Sequence, residues 1–173
     1  MTRVLSIDCG TTAAAACDVG DEGRPAFFTW YGARWSEPGR FGARLHHFDE
    51  WVSDLITLNA PDVLSFEAPL LIGPGGSTRP TNHDTVRLLY GLAAECERIA
   101  HRCSLRCIEV GIQTAKKHFC GTARADKGDV MFRARQLGWP VRNEHEGDAA
   151  AVWFATKATV CKGWIVPIMG RVA

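Results

Sequence analysis

Three carboxylates and a histidine stand where the pattern of this chain changes. Asp8 closes the apolar run Val4-Leu5-Ser6-Ile7, and Glu67 closes Val63-Leu64-Ser65-Phe66. His145 and Asp148 lie three residues apart, just ahead of the helix-like stretch Ala149-Ala150-Ala151-Val152-Trp153-Phe154-Ala155. Short runs rich in Val, Ile, Leu and Phe read as buried strands. An acidic residue ending such a strand lies at the rim of a sheet, where sites are built. Two acidic strand ends and an acidic helix start, brought together, make the oxygen-rich pocket that hard divalent cations occupy. The chemistry such a pocket suits is displacement at a phosphodiester.

Each residue also has a plainer reading. Asp8, in Asp8-Cys9-Gly10-Thr11-Thr12, can be a turn former, and Glu67, ahead of Ala68-Pro69, a surface glutamate. Asp148 can be the N-cap of the last helix. His145 can be an exposed loop histidine, with Glu144 and Glu146 as rival ligands. Only their joint occurrence favours the site.

The elements that must position them follow from periodicity. Residues 4–9, 13–19 and 26–35 read as three strands joined by short turns, the second turn carrying Gly20-Asp21-Glu22-Gly23-Arg24-Pro25. Residues 41–59 carry Leu45, Phe48, Val52, Leu55 and Ile56 at helical spacing, and residues 63–66 form the next strand. A glycine-rich loop, Gly73 to Pro80, precedes a long helix over 84–102 with Val86, Leu89, Tyr90, Ala93, Cys96, Ile99 and Ala100 on one face. A fifth strand at 105–110 and helices at 114–119, 127–137 and 148–161 complete the order. Three antiparallel strands followed by helix–strand crossovers predict an α/β fold, a five-stranded mixed sheet covered on both faces. A right-handed crossover from the first strand to the strand at 63–66 makes them parallel neighbours and sets Asp8 beside Glu67.

This order is that of the RNase H-like fold. Four segments narrow it: Ser6-Ile7-Asp8-Cys9-Gly10-Thr11-Thr12; Ser65-Phe66-Glu67; Lys116 with Gly121 and Ala125-Asp126-Lys127; and His145-Glu146-Gly147-Asp148-Ala149-Ala150-Ala151. Together they resemble the RuvC-type Holliday-junction resolvases, in order and spacing across most of the chain, and the small size is similar to phage or prophage versions. The resemblance implies a homodimer that nicks four-way or other branched DNA symmetrically. It implies two Mg²⁺ or Mn²⁺ ions, roughly 4 Å apart, held by Asp8, Glu67, His145 and Asp148. His145 stands where many relatives carry a third Asp, and its imidazole suits Mn²⁺ better than Mg²⁺. Lys116 and Lys127 match basic positions near the scissile phosphate, with Lys117 and Arg124 as accessory phosphate contacts. Ser77, Thr78 and Arg79 would overhang the pocket. Relatives often place an aromatic wedge where this chain has Leu70, and the helix at 84–102 matches the family's dimerisation element.

Length and composition agree. At 173 residues the chain predicts one domain, 1–173. The net charge is +1, yet between Arg87 and Arg142 eleven Lys or Arg stand against five Asp or Glu, so one basic face can meet a polyanion. No signal peptide is read at Met1-Thr2-Arg3, and no apolar run approaches the roughly 20 residues of a membrane span. The seven cysteines lack paired Cys-x-x-Cys spacing; Cys96, Cys103 and Cys107 are expected in the core, and free thiols fit a reducing cytoplasm.

Three rivals remain. The Asp8-to-Thr12 segment also resembles the phosphate loop of sugar kinases and actin-type ATPases, which need a second such domain and over twice this length. An RNase H or YqgF-type nuclease shares the fold. A non-catalytic DNA-binding module would lack the ligand set.

Overall fold

The computed structural model describes residues 2–19, 24–32, 40–69 and 83–166. Its elements are β1 (Val4–Asp8), β2 (Thr12–Val19), β3 (Arg24–Tyr31), α1 (Phe41–Asn59), β4 (Val63–Glu67), α2 (His83–Arg102), β5 (Arg106–Val110), α3 (Ile112–Cys120), α4 (Lys127–Gln136) and α5 (Glu144–Val160). The strands form a five-stranded sheet in the order β3-β2-β1-β4-β5. β1, β2 and β3 pair antiparallel, and β1–β4 and β4–β5 pair parallel. The mixed α/β sheet predicted from the sequence is present. The glycine loop with Leu70, Ser77, Thr78 and Arg79, the turn at 20–23 and the predicted end of the third strand lie outside the described residues.

Alternation along the strands divides the core in two. Val4, Ala14, Ala16 and Val63 face α3, α4 and α5; Leu5, Ile7, Ala13, Ala15, Cys17, Leu64 and Phe66 face α1 and α2. Four consecutive alanines in β2 let helices approach both faces closely. α5 is buried continuously from Ala149 to Lys157, which explains a helix apolar on nearly every side.

One helix face and one cysteine differ from expectation. α2 buries Leu88, Leu92, Ala93, Cys96, Ile99 and Ala100, whereas Tyr90 is exposed. α2 is also tied to α1 by arginines, Arg98 and Arg102 both binding Asp49. Cys96 is buried as expected and Cys103 half-buried, but Cys107 is exposed because β5 is the sheet's edge strand.

A carboxylate-rich site at the head of the central helix

The same alternation aims the acidic residues. Counting from Val4 and Ser6, Asp8 faces α5; counting from Val63 and Ser65, so does Glu67. The parallel register pairs Ile7 with Phe66, so Asp8 and Glu67 are the next neighbours, about one strand spacing apart.

The last helix begins earlier than its apolar run suggests. Asn143 is the N-cap, its side chain accepting from Glu146 N at 2.9 Å. His145 and Asp148 therefore lie within the first turns, three residues apart on one face. Asp148 is not the cap, and His145 is no loop residue: it is half-buried, with Nδ1 3.1 Å from Asp8 Oδ2. The early start is hidden in the sequence because Glu144-His145-Glu146-Gly147 carries no apolar residue.

The two rival ligands are engaged elsewhere. Glu146 is fully buried and accepts from Thr29 Oγ1 at 2.8 Å, Arg142 N at 2.7 Å and Arg142 Nε at 3.0 Å. Glu144 pairs with Lys127 at 2.7 Å on the surface.

The basic residues arrive from α3 and α4. Gly121, at φ 81, ends α3 in the left-handed conformation that favours glycine. The chain then turns into a capping box, with Asp126 accepting from Asp129 N and Asp129 from Asp126 N, which starts α4. Lys116 Nζ donates to Ala125 O at 2.8 Å across this turn. Gly147 lets α4 approach α5, since a Cβ there would stand 3.0 Å from Met131 Sδ. Lys117 and Arg124 are exposed, and Thr114, Lys117 and His118 line a shallow surface recess.

Crowding dominates the electrostatics. Burial, then the negative charges of Asp8 and Asp148, push Glu67 up to about 8. Burial and Asp8 push Asp148 up to about 6. Burial raises Asp8 as well, against the lowering pull of its His145 bond and charge. His145 is raised by its hydrogen bond to Asp8. Lys116 and Lys127 lower Glu67 and Asp148 without undoing the rise. Nearby, the Cys9 and Cys96 sulfurs lie 3.8 Å apart as free thiols, their contact holding Cys9 well above the usual thiol range.

The six predicted residues, Asp8, Glu67, His145, Asp148, Lys116 and Lys127, lie within electrostatic range of one another. As donors, three carboxylates and an imidazole fit a hard or borderline divalent cation. Their crowding is of the sign a cation relieves. Tight convergence is a different matter: among the described residues no three His, Cys, Asp or Glu side chains are gathered closely enough to form a metal cage as they stand. His145 is instead bonded to Asp8.

No family model matches the chain, and no curated protein matches it. Solved structures do. The structure of Thermus thermophilus RuvC matches with a TM-score of 0.64 at 17% identity, over 89% of this chain and 92% of that one. T. thermophilus RuvC in complex with a Holliday junction substrate matches with a TM-score of 0.69 at 15% identity, over 90% and 92%. The yeast mitochondrial Holliday junction resolvase Ydc2 matches with a TM-score of 0.62 at 10% identity, over 89% and 77%. These neighbours come from a bacterium and a yeast, and lend no support to a phage origin. The chain has the RNase H-like fold in the form taken by RuvC-type resolvases.

Proposed function

We propose that this protein is a metal-dependent endonuclease that resolves Holliday junctions or related branched DNA by paired nicks. One observation carries the reading: Asp8, Glu67 and Asp148 lie near the first turns of α5, close enough that the charge of Asp8 raises both of the others, on a RuvC-type fold. Asp8, Glu67, His145 and Asp148 would hold two Mg²⁺ or Mn²⁺ ions. When bound, such ions activate a water and stabilise the leaving oxygen. The protein's own part is to pre-place the donors. β1 and β4 fix Asp8 and Glu67 in register, and α5 presents His145 and Asp148 from one rigid face. Lys116, steadied by Ala125 O, and Lys127, steadied by Glu144, offset charge developing at the phosphate. Lys117 and Arg124 meet the backbone beside them.

The remaining parts of the reading are of the same kind. The chain acts as one nuclease domain and as a homodimer, setting two sites against the two-fold of a junction. The exposed Tyr90 face of α2 is available for that pairing. Among the described residues no helix is long and apolar enough to cross a membrane, in keeping with a cytoplasmic enzyme.

Labelled cruciform, linear duplex and RNA–DNA hybrid, each incubated with Mg²⁺, Mn²⁺ or chelator, test the reading. Symmetric nicks in the cruciform alone, abolished by chelator, are expected. Cutting of the hybrid moves the assignment to an RNase H, and ATP turnover without cutting moves it to a kinase.

A further inference from the structure

The lysines occupy one flank of the site; the opposite flank, along β3, carries a different pair. In β3, Phe27 packs into the core beneath α5, and Thr29, two residues on, donates to Glu146 of α5. Tyr31 continues that alternation and projects from the same face, beside the first turn of α5. It pairs with Thr12, at the end of the sheet where Asp8 pairs with Ala14. β3 lies two strands from β1, about 10 Å across the sheet, and Tyr31 stands two residues beyond Thr29, the residue level with Asp8. Tyr31 is 64% exposed.

Arg142 is bonded to Phe27 O of the same strand and lies within electrostatic range of Tyr31. The guanidinium is pinned along one edge: Nε donates to Glu146 Oε1 at 3.0 Å, and Nη2 donates to Glu146 and to Phe27 O at 3.2 Å. Asn143 Nδ2 donates to Thr29 Oγ1 at 3.2 Å and ties the cap to the same strand. Glu146 is fully buried, yet the Arg142 side chain is 66% exposed. The negative charge lies beneath the surface and the positive one faces out. A guanidinium already fixed loses little rotamer freedom on binding, and its open edge matches phosphate geometry.

We propose that Tyr31 and Arg142 form a contact patch for a nucleic-acid strand on the β3 side of the site. The phenol ring stacks on an unpaired base, and the open edge of the guanidinium takes the adjoining phosphate. Stacking of this kind needs a base outside a duplex, which a branch point supplies. The patch rests on the nuclease reading and extends it, adding a grip opposite the lysines.

Binding without cleavage tests it, using the full chain carrying Asp8→Asn, in chelator. The probe is branched DNA with 2-aminopurine at an unpaired branch-point position. Tyr31→Ala is expected to weaken binding about tenfold, the scale of one lost base stack, and to abolish the change in 2-aminopurine fluorescence. Tyr31→Phe keeps both. Arg142→Gln combined with Glu146→Gln removes both charges together, so no buried carboxylate is left unpaired; it should lower the salt dependence of binding by about one ion. Unchanged affinity and fluorescence in Tyr31→Ala overturn the stacking role, and an unchanged salt slope in the double variant overturns the phosphate contact. A parent protein that binds no DNA at any salt overturns the nuclease reading itself. A parent that binds while both variants match it overturns this patch alone.

Discussion

The two ends of α5 handle buried charge in opposite ways. At its C-terminal end Lys157 is fully buried, donating to Asp18 Oδ2 at 3.1 Å and to Thr2 O at 2.9 Å, and lying 3.0 Å from Asp18 Oδ1. Asp18 Oδ2 also accepts from Val4 N at 2.6 Å. One cation meets one anion, with the backbone completing the set. At the N-terminal end, His145 bonds Asp8 and the charges of Asp8 and Asp148 bear on Glu67, while Lys116 donates to Ala125 O and Lys127 pairs with Glu144. Between the ends runs a neutral polar seam: Thr156 Oγ1 donates to Ser65 Oγ at 2.9 Å, and Ser65 Oγ lies 2.5 Å from Ser6 Oγ. One helix on one sheet thus carries a matched pair that ties down the fold and a mismatched cluster that calls for counter-charge. A matched buried pair is structural, whereas uncompensated carboxylates at a sheet rim mark a site.

The sharpest break of that contrast is to swap the consequences. Asp8→Asn should lower junction cleavage by at least about a thousandfold, the upper scale of losing one charge-stabilising group, while junction binding and Tm hold or rise. Lys157→Met should do the reverse. It leaves Asp18 buried without its cation, a change that costs about 3–5 kcal/mol. Urea unfolding should show that loss, with a cleavage rate near wild type in the fraction still folded. If Asp8→Asn unfolds the protein, or Lys157→Met is neutral, the two ends are not different in kind.

What could be read before folding, and what could not, follows the same division. Asp8 and Glu67 were legible because each ends a run of strand formers, and the crossover between those runs makes them neighbours. α1 was legible to its exact bounds, since its apolar spacing is unbroken up to Asn59-Ala60-Pro61. The start of α5 was not, because its first turn is polar and its cap, Asn143, bonds locally without an apolar residue to mark it. Lys157 carries no local mark of burial; its partner Asp18 lies 139 residues away in sequence. Glu146 reads as a possible ligand, and its contact with Thr29 across 117 residues turns it into a clamp. Long-range polar pairs of this sort leave no local pattern, whereas strand ends and helical faces do.

A pH titration sharpens the comparison further. Glu67 sits at about 8 in the folded protein, above its ordinary carboxylate value of 4.5. Between those two values the native state holds a proton that the unfolded chain has released, so stability falls as pH rises through this window and levels above it. In chelator, Tm should therefore decline from pH 5 to pH 8, and Glu67→Gln should flatten much of that decline and raise Tm at the alkaline end. Asp148, at about 6, contributes the same sign over a narrower range. Added Mn²⁺ should recover the lost Tm in the parent and less of it in Glu67→Gln. A Tm that climbs with pH in chelator would mean the carboxylates are not in conflict.

The smallest effect concerns Lys116, and it separates two ways of using a lysine. Its Nζ is held by Ala125 O, with its charge acting on Glu67 and Asp148. A lysine that merely touches DNA lowers affinity when removed; one that stabilises charge as the phosphate reacts lowers the rate of the bound complex. Because the charge of Lys116 reaches Glu67 and Asp148 whereas Lys117 is exposed on α3, the two should divide these roles. Lys116→Met is expected to slow single-turnover cleavage by about tenfold or somewhat more, with little change in junction affinity. Lys117→Met should weaken binding modestly and reduce its salt slope, leaving the rate of the saturated complex intact. Equal losses of rate and affinity in Lys116→Met would make it another phosphate contact. The mismatch at the head of α5 would then be answered by bound cations alone.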